Sequence, residues 1–199
     1  MNCHYCKNDA VYKCAVCGRL LCGEHAHLRT VCPNHQQKAK TNFTITPKRS
    51  VDEKSIRKLV ETFWGEQEQL SFNKKFNVAE LPGYVAKIKD KIVGFVSATK
   101  LDNNTVIVAL GVLPLYQASG IGKCLIARIE HDASGKGSEA ILVSTSNDDL
   151  PALGFYQSLG FQIYDVKPDV IAQKHGKVML GIGNLPVRDE LRLRKNLAG

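Results

Sequence analysis

Cysteine and histidine near the amino terminus form pairs of the kind that bind metal. Six of the seven cysteines lie within the first 32 residues, and the two members of each pair are separated by two residues. The pairs are Cys3 and Cys6, Cys14 and Cys17, Cys22 and His25, and Cys32 and His35. Side chains at this spacing reach one tetrahedral ion across a tight turn, so four pairs provide ligands for two Zn²⁺ ions. Because protein side chains fill every ligand position, the pattern predicts structural rather than catalytic zinc.

A second group of residues is suited to holding a phosphate. The turn Gln117-Ala118-Ser119-Gly120-Ile121-Gly122 lies between an apolar run and a helix-like stretch. Its glycines allow close approach of the backbone to a ligand, and the helix that follows presents unpaired N–H groups and its positive dipole end. The three-glycine dinucleotide fingerprint and the Lys-Ser or Lys-Thr of a nucleotide P-loop are missing. Taken alone, the glycines also fit a turn that merely joins a strand to a helix.

Two longer segments carry a family resemblance. The segment from Val112 to Gly122 resembles the coenzyme-A loop of the GNAT superfamily of acyl-CoA N-acyltransferases, whose pattern is Val-x-Pro-x-Tyr-Gln/Arg-x-x-Gly-x-Gly/Ala. The segment from Asn147 to Phe161 is similar to the second signature of that superfamily, Asn...Ala...Phe-Tyr-x-x-x-Gly-Phe. The resemblance implies an acetyl-CoA-dependent N-acetyltransferase in residues 41–199. It also implies an α/β (mixed α+β) fold, with a mixed, mainly antiparallel sheet flanked by helices.

The resemblance assigns roles to residues of both motifs. The backbone of Leu110, Gly111 and Val112 is expected to pair with the pantetheine arm of the cofactor as an added strand would. The pyrophosphate is expected on the backbone amides of Gln117, Ala118, Ser119, Gly120, Ile121, Gly122 and Lys123.

Tyr156 occupies the position from which a phenol protonates the coenzyme-A sulfur. The alternative role for this side chain is an aromatic group packed beside Phe155 and Phe161. Many relatives bind pantetheine through an Asn seven residues before this Tyr. Asp149 stands there in this chain, so Asn147 is only a weaker candidate for that contact.

The acceptor side of the site is less well defined. Ribosomal-protein acetyltransferases of the superfamily use a Glu on the strand that here reads Ile141 to Thr145, and this strand has no acid. The general base is therefore unassigned. Its candidates are Glu66, Glu68 and His175. Candidates for contact with the acceptor, on and around the connection that lines the pocket in the family, are Tyr164, Asp169, His175 and Lys177.

The amino-terminal pairs resemble the cross-brace fingers of the B-box and AN1 type, in which alternate pairs share an ion. The resemblance implies one zinc on Cys3, Cys6, Cys22 and His25, and another on Cys14, Cys17, Cys32 and His35. Spacing alone leaves sequential pairing open, and His27 or His4 is an alternative to a histidine of these sets. The apolar residues of segment 1–40 are too few for a core, so metal binding is expected to supply its folding free energy.

Apolar periodicity outlines the remaining elements. Strands are expected over 43–47, 84–88, 92–101, 105–113, 140–145, 161–166 and 177–182, the last two pairing with each other in antiparallel fashion. Helices are expected over 51–64, with a capping box of Ser50 and Glu53, and over 121–132 and 151–159. Residues 66–72 are expected to form a loop or a short helix. The charged tail, 187–199, receives no assignment.

Composition narrows the class of protein. The 199 residues, 44% of them apolar, suit one domain of ordinary size plus a small module. With no long apolar run and no signal region at the start, a soluble, cytoplasmic protein without a membrane partner is expected. The formal charge of +8 falls to about +6 once two zinc ions and six thiolates are included. A positive charge of this size favours attraction to acidic proteins or to the phosphates of coenzyme A. It is also compatible with nucleic-acid binding but does not indicate it.

Three functions fit these residues. The first is an acetyl-CoA-dependent N-acetyltransferase whose zinc finger docks a protein substrate. The second is a small-molecule amine acetyltransferase whose finger is only a structural extension. The third is a non-catalytic acyl-CoA-binding adaptor, which the missing base favours.

Overall fold

The computed structural model describes residues 2–10, 12–13, 19–22 and 42–197. The amino-terminal part contains a short antiparallel pair, β1 (Tyr12–Lys13) and β2 (Leu20–Leu21). Five predicted zinc ligands lie outside the described residues, namely Cys14, Cys17, His25, Cys32 and His35. In the part of the chain that is described, no helix has both the length and the apolar character needed to cross a bilayer.

Residues 42–197 are built on a seven-stranded sheet. Its strands are β3 (Thr44–Pro47), β6 (Gly83–Ile88), β7 (Lys91–Leu101), β8 (Asn104–Val112), β9 (Ala140–Ser146), β10 (Gln162–Lys167) and β13 (Glu190–Asn196). Two hairpins lie outside it, β4 (Glu68–Ser71) with β5 (Lys74–Asn77), and β11 (Met179–Leu180) with β12 (Pro186–Val187). The helices are α1 (Glu53–Trp64), α2 (Ile121–Gly135), α3 (Leu150–Ser158) and α4 (Val170–His175).

The strand order in the sheet is β10-β13-β9-β8-β7-β6-β3. All neighbours are antiparallel except β8 and β9, which are parallel and joined through α2. The mixed, mainly antiparallel sheet expected from the sequence is therefore confirmed.

Helices cover both faces of this sheet. On one face α1 buries Ile56, Leu59 and Val60, which follow one another at helical spacing, against Phe95 and neighbouring strand residues. On the other face α2 and α3 pack over the second core cluster, to which they contribute Leu125, Ile129 and Tyr156 among others. The centre of the sheet is thus buried on both sides, and this explains its continuous apolar strands.

The two parallel strands stay together for only part of their length. They pair from Thr105 to Ile107 of β8 and from Ile141 to Val143 of β9. A bulge at Val108 shifts the register of β8 against β7, because Ser97 faces Ala109 while Ala98 faces Ile107. Beyond this point β8 follows β7 to Val112 and β9 follows β13 to Ser146, so a gap opens between β8 and β9.

The strand pairing in the carboxyl-terminal segment differs from the one expected from the sequence. The expected pairing of 161–166 with 177–182 is wrong, because β13, from the tail that received no assignment, lies between β9 and β10. The alternation of apolar and polar residues in β13 is difficult to recognise because most of its side chains are charged. Only Leu191 and Leu193 are apolar, and they lie on the face of the sheet that α2 and α3 cover. On the opposite face Arg192 is buried, and its Nη2 atom lies 2.8 Å from the Glu190 carboxylate.

A hairpin replaces the loop or short helix expected over 66–72. Strands β4 and β5 turn at Phe72 and Asn73, both with positive φ. The backbone N–H of Phe72 donates to Glu190, and the guanidinium of Arg192 lies over the Phe72 ring and donates to Asn73. Long-range contacts with β13 therefore fix this hairpin, and a local sequence pattern does not reveal them.

The start of α1 also differs in detail. A short 3₁₀ turn, Ser50–Asp52, precedes the helix, and Asp52 rather than Glu53 reaches back to accept the N–H of Arg49 at 3.0 Å. The buried Asp52 carboxylate also accepts from Lys87 of β6 at 2.7 Å. Burial opposes its ionisation, but the hydrogen bonds from Lys87 and Arg49 together hold the pKa of Asp52 below its usual value of 3.8.

Replacement of this carboxylate should therefore destabilise the domain in a pH-dependent way. Because the folded-state pKa is depressed, the stabilisation from Asp52 is fully present above about pH 3.8 and is lost as the pH falls through the folded-state value. We expect Asp52→Asn to lower the free energy of unfolding by about 1–3 kcal/mol at pH 7, measured by urea denaturation. The matched control is Asp90→Asn in the exposed turn between β6 and β7. A loss that is equal for both variants, or that does not diminish in acid, would contradict this role.

Candidate active site and amino-terminal cysteine cluster

The predicted phosphate-binding turn leads directly into α2. Gly120 is the N-cap residue with a φ of 86°, and Ala118 also has a positive φ, of 61°. A Cβ at Gly120 would meet no atom within 4 Å, so the space in front of this turn is open. The first helical hydrogen bond runs from Cys124 to the carbonyl of Gly120, and the N–H groups of residues 121–123 are therefore left without a partner in the helix. This turn is a suitable anion site.

Two side chains tie the turn to the end of β8. The Gln117 Nε2 donates to the carbonyl of Val112 at 3.0 Å, and the Ser119 hydroxyl donates to the carbonyl of Tyr116. Ile121 is buried in the core, so it can offer a ligand only its backbone. Lys123 is exposed in the first turn of the helix and is free to add positive charge beside it.

The end of β8 has an edge that faces the gap. The N–H of Leu113 donates to Val93 of β7, so by strand alternation the backbone groups of Gly111 also point toward β7. Those of Leu110 and Val112 point the other way, toward the region that β9 has left. Of the three residues predicted to pair with pantetheine, Leu110 and Val112 therefore carry the groups that face the gap, and the Val112 carbonyl among them already accepts from Gln117. Gly111 has a packing role, since a Cβ there would lie 2.6 Å from the ring of Phe63.

A cavity of about 300 Å³ occupies the gap. It is lined on the α3 side by Ala152 and Tyr156, and on the α1 side by Trp64 and Gln69. Because α3 and α1 cover opposite faces of the sheet, the cavity passes through the sheet between β8 and β9.

Tyr156 lies at the wall of this cavity and is 6% exposed. Its ring makes edge contacts with Phe155 and Phe161 at centroid distances of 5.3 and 5.5 Å. Both sequence interpretations of this residue are therefore compatible with its position. Asp149, seven residues earlier, is the N-cap of α3 and accepts from the N–H of Ala152 at 3.0 Å.

Asn147 is placed differently from its predicted contact. Its Oδ1 accepts the N–H groups of Arg188 and Asp189, both at 2.9 Å, and its Nδ2 donates to the carbonyl of Pro186 at 2.7 Å. The whole amide group is engaged with the segment that leads into β13. In this position Asn147 fixes backbone rather than presenting a free amide to a cofactor.

Only some of the acid–base and acceptor candidates reach the cavity. Glu66 and His175 line it, whereas Glu68, Tyr164, Asp169 and Lys177 are not among its lining residues in the described chain. The Glu66 carboxylate forms an ion pair with Lys174 of α4. Because this carboxylate is already engaged by Lys174, a free base is not evident at Glu66.

Several lining residues were missed by the sequence analysis. They are mainly apolar and come from α1, α4 and the β11–β12 hairpin: Trp64, Val170, Ile171, Met179 and Val187. The single residues carry no recognisable motif, and only tertiary contacts bring them together.

Three cysteines gather in the described amino-terminal part. The sulfur atoms of Cys3, Cys6 and Cys22 all lie within 4.8 Å of one another, with 3.6 Å between those of Cys6 and Cys22. Tetrahedral zinc with Zn–S bonds of about 2.3 Å would place two sulfurs about 3.8 Å apart, so the geometry fits a metal ion. The N–H of His4 donates to the carbonyl of Leu20, and this bond brings the first turn beside Cys22.

The surroundings of these thiols also favour a cation. Burial opposes ionisation of Cys3, but hydrogen bonds from the backbone N–H groups of Tyr5, Cys22 and Cys6 outweigh it and lower its pKa. At Cys6 the N–H of Asn8 favours the thiolate, yet burial and the sulfurs of Cys22 and Cys3 raise the pKa overall. A bound cation would relieve this crowding of negative charge.

Known proteins with similar sequences identify the family to which the site belongs. The model of the acetyltransferase (GNAT) family matches residues 53–161, a span that includes α1, the β8–α2 turn and Tyr156. The uncharacterized protein YxbD of Bacillus subtilis (strain 168) is 25% identical over 160 residues, which cover 78% of this chain and 99% of that protein.

Solved structures show the same fold. The IAA acetyltransferase from Bacillus cereus ATCC 14579 has a TM-score of 0.65 at 22% identity, covering 78% of this chain and 100% of that one. A GNAT family acetyltransferase from Elizabethkingia anophelis with acetyl-CoA bound has a TM-score of 0.60 at 21% identity, covering 79% of this chain and 100% of that one. The family model spans more than half of the sequence, and the chain belongs to the acetyltransferase (GNAT) family.

Proposed function

We propose that this protein transfers an acetyl group from acetyl-CoA to an amine on a protein substrate. In this proposal the amino-terminal zinc module is the docking site for the substrate protein. The observation that carries the proposal is the gap between β8 and β9, whose cavity is lined by residues from both faces of the sheet, together with the turn suited to an anion that follows β8. This arrangement fits a cofactor that enters from one face and an acceptor that enters from the other. The solved structure of the acetyltransferase from Elizabethkingia anophelis has acetyl-CoA bound, which supports this cofactor.

The cofactor would be held by backbone groups. The backbone amides of residues 118–123 would bind the pyrophosphate at the start of α2, whereas the N–H of Gln117, also predicted for this role, donates to the carbonyl of Pro114. The pantetheine arm would extend β8 by pairing with Leu110 and Val112, since their backbone groups face the gap. The N–H of Val112 would then polarise the thioester carbonyl, while Gln117 holds the Val112 carbonyl.

Acetyl transfer would proceed by direct attack. The lone pair of the neutral amine attacks the thioester carbon, and negative charge builds on the carbonyl oxygen near the Val112 amide. When the C–S bond breaks, the electron pair leaves with sulfur, which takes a proton from Tyr156. The amine loses its proton to water or to a side chain at the acceptor face, where His175 and Glu66 lie.

The role of Tyr156 can be tested by removing only its hydroxyl. We expect Tyr156→Phe to lower kcat about a hundredfold, because loss of a general acid costs this much, while the Kd of acetyl-CoA stays unchanged. The ring contacts with Phe155 and Phe161 remain, so the helix should fold. Binding is measured by titration calorimetry and turnover by thiol release.

The matched control is Tyr164→Phe on the edge strand β10, where Tyr164 is 49% exposed and outside the cavity lining. Normal turnover of Tyr156→Phe would remove Tyr156 from the reaction. Tight acetyl-CoA binding without turnover of any peptide or amine would instead favour the adaptor. Absence of acetyl-CoA binding to metal-loaded protein would refute the enzymatic proposal.

For the amino-terminal module we propose two structural zinc ions in a cross-brace. The grouping of Cys22 with Cys3 and Cys6 supports the first site, to which His25 would add the fourth ligand. Cys14, Cys17, Cys32 and His35 would form the second. All ligand positions would then be filled, so the module would fold around metal and serve binding.

The zinc content and the activity of a ligand variant test both the metal sites of this module and its role in docking. The purified protein should contain two zinc ions, and Cys22→Ser should lose at least one, measured by inductively coupled plasma mass spectrometry. The control is Cys124→Ser, an exposed cysteine on α2 outside the cluster. If the module docks a protein, Cys22→Ser should also lose peptide acetylation while acetylation of a small amine persists. Zinc content that is zero, or equal in both variants, would contradict the metal site, and equal loss of both activities would contradict docking.

A further inference from the structure

Two adjacent residues at the end of β9 hold the acceptor wall of the cavity. As described above, the side chain of Asn147 binds the backbone of Pro186, Arg188 and Asp189. Its own N–H donates to the carbonyl of Asp189 at 3.0 Å. The next residue, Asp148, accepts the N–H of Ile182 at 2.9 Å through Oδ2. This pair is the Asn147–Asp148 clamp.

The segment bound by the clamp in turn holds α4. The carbonyl of Arg188 accepts the N–H groups of Ile171 at 2.8 Å and Ala172 at 3.2 Å. The carboxylate of Asp189 accepts the N–H of Asp169 at 2.9 Å. The first turn of α4, including the cavity residue Ile171, is therefore positioned from β9 through two successive layers of hydrogen bonds.

Burial of the Asp148 side chain costs stability. This cost favours a role for Asp148 in positioning the neighbouring backbone. It is 5% exposed, and its Oδ1 is buried without a hydrogen-bond partner in the described chain. A carboxylate that is buried with one oxygen unpaired loses hydration that a single hydrogen bond does not restore. The backbone also accommodates it closely, because a Cβ on Gly181 would lie 2.0 Å from Asp148 Oδ2.

The wall that the clamp positions is apolar. Its side chains are Val170 and Ile171 of α4, Met179 of β11 and Val187 of β12, and Trp64 faces the same cavity. The wall therefore suits a hydrocarbon group next to the reacting nitrogen.

The carboxylates that line the cavity are all engaged. Glu66 is paired with Lys174, Glu190 accepts from Phe72 and Arg192, and Asp149 caps α3. Among the described lining residues, a second ammonium group on the acceptor would meet no unengaged carboxylate, and Lys174 and His175 lie on the same side. A polycation is therefore disfavoured, because an unpaired charge in such a site is expensive.

We propose that the Asn147–Asp148 clamp positions an apolar acceptor wall that selects an amine with a hydrocarbon group next to the reacting nitrogen and without a second ammonium group. This inference rests on the proposed acetyl transfer and names the class of its acceptor. Asn147 and Asp148 act through the wall, so they are positioning residues. These backbone contacts engage the side-chain amide of Asn147, which the resemblance makes only a weak candidate for a pantetheine contact.

A pair of probes of equal length tests the selection. Hexylamine and 1,6-diaminohexane differ only in the second ammonium group. We expect kcat/KM for hexylamine to exceed that for the diamine by at least about tenfold at saturating acetyl-CoA. Equal or better use of the diamine would overturn the inference, as would acetyl-CoA binding without any acetylation of hexylamine.

Variants of the clamp test how selection arises. Asp148→Ala removes the acceptor of the Ile182 N–H, and Gly181→Ala displaces the same contact from the opposite side. Both should raise KM for hexylamine by about tenfold while the calorimetric Kd of acetyl-CoA changes by less than about twofold. Asp148→Asn keeps an oxygen for Ile182 and should restore KM toward the wild-type value. The control for Gly181→Ala is Gly135→Ala at the end of α2, where a Cβ meets no atom within 4 Å.

The outcomes separate this inference from the proposed function. If Asp148→Ala weakened acetyl-CoA binding as much as it raised KM for hexylamine, the clamp would belong to the cofactor side and the inference would fail. A greater effect of Asn147→Ala on the acetyl-CoA Kd than on hexylamine KM would have the same meaning. If the wild-type protein failed to bind acetyl-CoA, the proposed function itself would fail, whatever the amines did.

Discussion

The separation of β8 from β9 is the constraint on which the candidate site depends. Strand β9 pairs with β13 from Ala140 to Ser146, whereas β8 pairs with β7 up to Val112, and the two strands are hydrogen bonded to each other over only three residues. Strand β13 lies on the other side of β9, between β9 and β10. The bulge at Val108 marks the start of the gap.

The same strand connects the two sides of the cavity. On the α1 face Glu190 and Arg192 of β13 hold the β4–β5 hairpin, through Phe72 and Asn73. At its start the segment 186–189 is held by Asn147 and supports α4. The proposed acceptor side is therefore assembled from pieces that are distant in sequence, while the proposed cofactor side is nearly continuous from β8 into α2. This difference explains why the cofactor can be inferred more readily than the acceptor.

Local sequence patterns predicted the parts of the fold that local interactions form. Helix α1, strands β6 to β9 and the turn before α2 follow from apolar spacing and glycine placement, and Tyr156 was found from its motif. The position of β13 was missed because Arg192 and Arg194 make the segment look like an exposed, charged tail. In the fold, Arg192 is buried and paired with Glu190. The apolar cavity wall proposed for the acceptor was missed because its position depends on side-chain hydrogen bonds such as that from the Arg188 N–H to Asn147 Oδ1, about 40 residues apart in sequence. Gly111 was expected to admit a cofactor, and its lack of a side chain is explained at least as well by Phe63.

Residue-resolved hydrogen exchange by NMR tests the open edge of β8 most directly. In the free protein the amides of Leu110 and Val112 should exchange faster than that of Gly111, because Gly111 is paired with β7. Saturating acetyl-CoA should slow exchange at Leu110 and Val112 by about tenfold or more and leave Gly111 nearly unchanged. Unaltered exchange at Leu110 and Val112 in the presence of bound acetyl-CoA would contradict the account.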